Sequence, residues 1–169
     1  MPALPILTYP DKRLRETCQD VADFQDPDLQ VFIDDILETM QVAPACVGVA
    51  APQVGHLIQL VVINCGLARK PPKAHHGELV LINPAILTWN GLEVGREGCL
   101  SLPDYTANVI RATDISVQFQ DRDGREHALG MRDFEARVVQ HEMDHLQGKL
   151  FLDRIVSRKA DLFKRKRYR

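Results

Sequence analysis

Two histidines four residues apart, with a glutamate directly after the first, stand in the stretch Gln140-His141-Glu142-Met143-Asp144-His145. On a helix, positions i and i+4 lie one above the other, so both imidazoles can reach one metal ion. Glu142 falls about 60° round the axis from His145 at 3.6 residues per turn. It can face a water activated by the ion without being a ligand itself. The pattern therefore offers two neutral nitrogen ligands and a general base. Two hydrogen-bonded core histidines can share the same spacing, so the motif needs a third ligand to carry weight.

A catalytic site of this kind keeps three protein ligands and one open position. Where His-Glu-x-x-His serves a protease, the third ligand lies downstream, as His or Glu. The chain after His145 contains neither, only Asp153 and Asp161. The best upstream candidate is Cys99, a thiolate donor in a glycine-flanked turn. A thiolate combined with imidazoles suits zinc or ferrous iron.

The elements that must position these groups follow from periodicity. Residues 133–147 read as a helix. Phe134 and Val138 lie within about 60° of His141 and should line an apolar pocket beside the ion. Val139, Met143 and Leu146 form a second apolar stripe, and a helix apolar on two sides is buried. Gly148 stands where a C-terminal glycine cap belongs. Upstream, Asp26-Pro27 opens a packing helix whose Leu29, Phe32, Ile33, Ile36, Leu37 and Met40 recur at helical spacing. Residues 43–55 read as a tight connection whose Gly48, Ala50 and Ala51 allow close approach of backbone. Ile58–Asn64 and Glu78–Asn83 read as strands. Residues 84–96 predict a strand pair turning at Asn90-Gly91. Asp114–Gln120 and Arg125–Leu129 predict another, joined by Asp121-Arg122-Asp123-Gly124. A polar loop accounts for His75 and His76, and the same reading, solvated and not metal-binding, covers His56 and His127. A helix, several antiparallel strands and a late helix make an α+β domain, its antiparallel or mixed sheets packed around a central metal-binding helix.

Composition narrows the class. A chain of 169 residues with 45% hydrophobic and 26% charged residues suits one globular domain. A net charge of −2 is too neutral for a nucleic-acid binder. No run of about 18 apolar residues exists, so no membrane span is expected. No basic region followed by an apolar run opens the chain, so a cytoplasmic location is expected. Cys18, Cys46, Cys65 and Cys99 are scattered, which suits buried thiols or metal ligands better than disulfides. From about Arg154 to Arg169 the chain is basic. A handle for a polyanion and a solvated terminus fit that tail equally.

Three segments resemble the signature motifs of the peptide deformylases: Val47-Gly48-Val49-Ala50-Ala51-Pro52-Gln53, Glu97-Gly98-Cys99-Leu100-Ser101 and Gln140–His145. Ile6–Asp11 and Leu81-Ile82-Asn83-Pro84 are also similar to that family, and the resemblance covers roughly residues 5–155. It implies a single catalytic domain over 1–169 that removes the N-formyl group from the initiator methionine of nascent polypeptides. It implies one divalent ion held by Cys99, His141 and His145: ferrous iron in the cell, replaceable by zinc or nickel in purified protein. Glu142 would be the general base. The oxyanion would be met by the Leu100 backbone N–H and the Gln53 amide. Val47 and Gly48 would bind the substrate, Gly48 by presenting its backbone for strand-like pairing with the peptide. Phe134 and Val138 would receive the methionine side chain. Members of the family dock near the ribosomal exit tunnel through a C-terminal helix, and the basic tail is compatible with that.

We further expect Glu97 and Arg111 to pair behind the Cys99 turn, because metal ligands need such support. Two departures stand out. The family's first motif opens on a glycine where this chain has Cys46, which disfavours positive φ and predicts an altered turn. An arginine that some members carry after the second motif is absent here, where Tyr105 and Thr106 stand, so recognition of longer peptides is expected to differ. A metalloprotease and a non-catalytic metal-stabilised binding module are the competing classes. The first lacks its downstream ligand, and the second has no use for Glu142 and Gln53.

Overall fold

Both helices announced by periodicity form. Helix α1 spans Pro27–Val42; Asp26 caps it by accepting the Asp28 N–H, and Leu29, Phe32, Ile33, Ile36 and Met40 are buried. Helix α2 spans Asp133–Leu146. Gly148 ends it in the left-handed region at φ 70°, its N–H bonded to the His145 carbonyl. The computed structural model describes residues 3–165.

The strands are β1 (Gly48–Ala50), β2 (Leu60–Asn64), β3 (Glu78–Cys99), β4 (Leu102–Gln120), β5 (Glu126–Arg132) and β6 (Leu162–Lys164). They form one sheet in the order β1-β2-β3-β4-β5, with β6 also paired to β4. Every pairing is antiparallel, which makes the fold α+β.

Strand β2 explains how the two helices share one sheet. Its Leu60 and Val62 join the cluster that buries the apolar face of α1. Its Val61 and Ile63 join the cluster beneath α2, with Leu81, Val117, Ala136, Val139 and Leu146. Alternate residues point to opposite faces, so a strand covered on both sides reads as an unbroken apolar run. Full burial of Val139 and Leu146 contributes about 1.5–3 kcal/mol each. Gln140 adds a clamp: its side-chain amide donates to the Ala112 carbonyl at 2.9 Å and accepts from the Ala112 N–H at 3.0 Å, fixing α2 to β4. A third cluster gathers Cys99, Leu102, Ala107, Val109, Leu150 and Phe151 at the far end of β3 and β4.

Four expectations change. Asn90-Gly91 is not a hairpin turn: β3 runs straight through it, with Asn90 opposite Asp114 and Leu92 opposite Ala112. Gly91 does adopt positive φ, but pairing with β4 along its length outweighs the local turn preference. Strand β4 starts at Leu102, not near 114. The connection 43–55 holds β1 and a 3-10 turn, Ala51–Val54. His76 is not loosely solvated: its backbone N–H and ring Nδ1 bond the two oxygens of buried Glu135 at 2.7 and 2.6 Å. In the basic C-terminal stretch, Arg158–Asp161 is a short helix and Leu162–Lys164 is β6. Residues 166–169, also part of the predicted basic tail, lie outside the described residues. Among the described residues, no helix is long and apolar enough to cross a membrane.

Candidate metal centre

The β3–β4 connection and α2 bring three ligand atoms together. Cys99 ends β3 opposite Leu102, so its thiol sits at a hairpin tip. His141 and His145 lie one turn apart on the buried face of α2. The ligand atoms of Cys99, His141 and His145 all lie within 4.8 Å of one another, and the Cys99 sulfur is 3.5 Å from His145 Nε2. Ligands about 2.0–2.3 Å from a tetrahedral ion stand roughly 3.5 Å apart, so this donor set fits one cation.

Charge in the surroundings favours that role. Burial alone would push the Cys99 thiol up, but His145 and His141 beside it hold it well below its ordinary value. The thiolate is the form that ligates metal. His141 donates through Nδ1 to Glu97 at 2.8 Å, which leaves Nε2 for the ion. Among the described residues, His145 Nδ1 and Glu142 Oε2 are buried without a hydrogen-bond partner. Glu142 Oε1 stands 4.0 Å from His141 Nε2, one water's reach from the ion position. Burial pushes Glu142 above the usual carboxylate range, against the pull of His141 and His145. That shift brings a carboxylate closer to the acidity a general base needs.

A buried ion network stands behind the ligands. Arg111, 4% exposed, donates to both oxygens of Glu97 at 2.9 Å and to Asp144 at 2.7 Å. This is the pairing expected from the sequence. Arg137 adds a donor to Glu97 at 2.7 Å, and Arg154 forks onto Asp144 at 2.8 and 3.1 Å. Burial would raise both acids, but these donors hold Glu97 and Asp144 below the ordinary carboxylate range. The sequence assigned no supporting role beside the ligands to Arg137, Asp144 or Arg154. Arg137 precedes His141 by four residues and Asp144 follows it by three, so helical spacing carried a usable signal for both.

The predicted site residues surround one cavity of about 430 Å³. Val47, Gly48, Gln53 and Leu100 line it on one side; Phe134, Val138, His141 and Glu142 line it from α2. His145, 1% exposed, lies behind them. Gln53 is held at both ends of its amide: Oε1 accepts from the Ala50 N–H at 2.9 Å, and Nε2 donates to Ser101 Oγ at 3.1 Å, 3.5 Å from the Cys99 sulfur. Strand β1 is the sheet edge. Asn64 N–H bonds the Val47 carbonyl, and antiparallel alternation then turns the backbone groups of Gly48 away from β2. A side chain at Gly48 would sit 2.9 Å from Glu142 Cγ, which accounts for the close approach expected there. The left-handed residue before this strand is Ala45, at φ 53°, not Cys46. The Cys46 thiol instead donates to the Gly48 carbonyl at 3.3 Å, so a cysteine fits without strain.

The sequence matches the family model described as Polypeptide deformylase over residues 3–161. It is 45% identical over 153 residues to peptide deformylase 1 of Vibrio vulnificus (strain YJ016), spanning 90% of this chain and 86% of that protein. It is 42% identical over 168 residues to the peptide deformylase of Xylella fastidiosa (strain M12), spanning 98% and 95%. The fold superposes on the crystal structure of a peptide deformylase from Legionella pneumophila with a TM-score of 0.84 at 37% identity, covering 94% of this chain and 89% of that one. For the Thermotoga maritima enzyme the TM-score is 0.83 at 35% identity, covering 93% and 100%. Likeness of this depth along nearly the whole length places the chain in the polypeptide deformylase family.

Proposed function

We propose that Cys99, His141 and His145 hold ferrous iron in the cell, and that Glu142, Gln53 and Leu100 carry the chemistry of a cytoplasmic enzyme spanning residues 1–169. As a peptide deformylase, the chain is a hydrolase that removes the N-formyl group from newly made polypeptides. The observation that carries the residue assignment is the convergence of one sulfur and two ring nitrogens within 4.8 Å, with a buried, unpartnered carboxylate oxygen on Glu142 beside them.

When bound, the cation supplies a Lewis-acid centre that acidifies water and polarises the formyl oxygen. Glu142 takes a proton from the attacking water and returns it to the departing amine nitrogen as the formyl C–N bond breaks. Gln53 Nε2 and the Leu100 N–H stabilise negative charge on the formyl oxygen. Gln53 can do so without reorganising, because its amide is already fixed by Ala50 and Ser101. Phe134 and Val138 receive the methionine side chain, and the open edge of β1 at Gly48 pairs with the peptide backbone, while Val47, whose carbonyl is taken by Asn64, lines the cavity beside it.

The test is hydrolysis of formyl-Met-Ala by protein purified without oxygen, together with metal analysis. Glu142→Ala should retain the metal and lose turnover by about a hundredfold or more. Turnover that survived the substitution would remove Glu142 from the mechanism, and cleavage of casein in place of formyl-Met-Ala would favour a protease. The exposed Arg158, Lys159 and Lys164 support docking on the ribosome near its exit tunnel. Co-sedimentation with ribosomes that weakens steeply with salt is the expected result.

A further inference from the structure

Glu135 is a buried acid in the first turn of α2 that neither the metal centre nor the deformylation steps use. It is 2% exposed. Its partner lies 59 residues away, on the loop that leads into β3. The His76 backbone N–H donates to Oε2 at 2.7 Å, and the ring Nδ1 bonds Oε1 at 2.6 Å. A carboxylate only accepts, so Nδ1 carries the proton. Among the described residues, no other group hydrogen-bonds this carboxylate. At the far end of the same loop, Cys65 is fully buried in the cluster that holds Ala136 and Val139. The segment 65–77 is therefore moored to the start of α2 at both ends.

That first turn needs an outside hold. Strand β5 ends at Arg132 and α2 begins at Asp133, with no residue between them. Asp133 takes a positive φ of 51°, a conformation that costs a residue with a side chain energy. Arg132 makes no capping bond, so the helix start lacks the side-chain acceptor that usually secures it. Phe134 stands between Asp133 and Glu135. It lines the cavity with Val138 and His141 and is 39% exposed, so its own packing does little to fix it. Successive helical residues point about 100° apart. Holding Glu135 therefore sets the direction of Phe134.

We propose that His76 is a positioning residue for the methionine pocket: its grip on Glu135 holds the first turn of α2 where Phe134 closes the pocket wall. This rests on the deformylase reading, which gives Phe134 and Val138 the methionine side chain. The metal ligands His141 and His145 stand about two and three turns beyond Phe134. There Gln140 fastens α2 to β4 through both backbone groups of Ala112. The ligands are thereby insulated from the loop, and the pocket wall is not. Loosening His76 changes how well the side chain of the first residue is held and leaves the chemistry at the formyl group in place.

The experiment compares the full-length, metal-loaded parent with His76→Ala, His76→Asn and Phe134→Ala. The readout is the ratio of kcat/KM for formyl-Met-Ala to that for formyl-Ala-Ala. It is measured within one preparation, so it is independent of how much active protein that preparation holds. His76→Ala should lower the ratio by about three- to tenfold, the worth of one hydrogen bond. The loss should come through a higher KM for formyl-Met-Ala, with kcat changed by less than about twofold and zinc affinity unchanged. In His76→Asn the side-chain amide nitrogen can donate to Glu135 from nearly the place of Nδ1, so most of the ratio should return. Phe134→Ala should lower the ratio at least as far, and adding His76→Ala to it should change the ratio no further. An unchanged ratio in His76→Ala, even with a lower unfolding midpoint, would overturn the proposal, as would equal losses in the alanine and asparagine variants. An unchanged ratio in Phe134→Ala would remove Phe134 from the pocket and the proposal with it. Failure of the parent to hydrolyse either formyl peptide would instead refute the deformylase reading itself.

Discussion

Replacing Arg111 by methionine removes one side chain that serves two buried acids. In the native protein its guanidinium forks onto Glu97 at 2.9 Å and reaches Asp144 at 2.7 Å, with 4% of the residue exposed. Breaking a buried ion pair by deleting one partner costs about 3–5 kcal/mol. Neither acid is fully orphaned, since Glu97 keeps His141 and Arg137 and Asp144 keeps Arg154. The lower end, about 3 kcal/mol, is therefore expected, and in a chain of this size it lowers the unfolding midpoint by roughly 6–12 °C. A second effect reaches the metal. Glu97 fixes the ring of His141 through Nδ1, and loosening such an outer partner costs about tenfold or more in cation affinity. Circular dichroism of metal-free and zinc-loaded protein reads the first effect, and competition with a chelator reads the second. Arg111→Lys should recover only part of either, because one ammonium cannot reproduce the fork. A midpoint within 2 °C of the parent (about 1 kcal/mol) together with an unchanged zinc affinity would show that the network does not support the site.

Gly48→Ala puts a methyl group 2.9 Å from Glu142 Cγ and 3.1 Å from its Oε1; the displaced carboxylate should lower kcat by about tenfold or more while the unfolding midpoint barely moves. Gly148→Ala adds a side chain at φ 70° and drives it into the Arg15 carbonyl, so a loss of about 2 kcal/mol is expected, read as a midpoint lower by roughly 4–8 °C. Acidification should destabilise the fold through Glu97 and Asp144. Their folded-state values are depressed, so the unfolded chain takes up protons first. The stability they provide is complete above the ordinary carboxylate range near pH 4 and is lost as pH falls through the folded values. Urea midpoints followed from pH 7 to pH 3 should therefore fall more steeply in the parent than in Arg111→Met.

The two helices were legible because their information is local. Asp26 and Pro27 mark the start of α1, and the period of Leu29, Phe32, Ile33 and Ile36 marks its buried face. The two histidine ligands share a helix turn and were equally plain. Cys99 could be joined to them only through a lack of downstream ligands and a resemblance, because no periodicity spans a hairpin tip and a helix. The strand β3 was broken at Asn90-Gly91 for the opposite reason: a strong local turn signal yielded to pairing with a partner residue such as Asp114, which the sequence cannot display. Glu135 and His76 meet across 59 residues of chain, and Arg165 reaches the cavity only because β6 pairs with β4. Both contacts depend on long-range topology, and neither leaves a trace in the spacing of residues.

The free edge of β1 bears on how widely the enzyme can work. Gly48 offers an amide and a carbonyl where most binding surfaces offer side chains, and Glu142 leaves no room for anything larger. A guest gripped there is held by atoms that nearly all amino acids have in common. One catalyst can then serve a whole proteome of different beginnings, and whatever selectivity it has must come from its walls, not from its template.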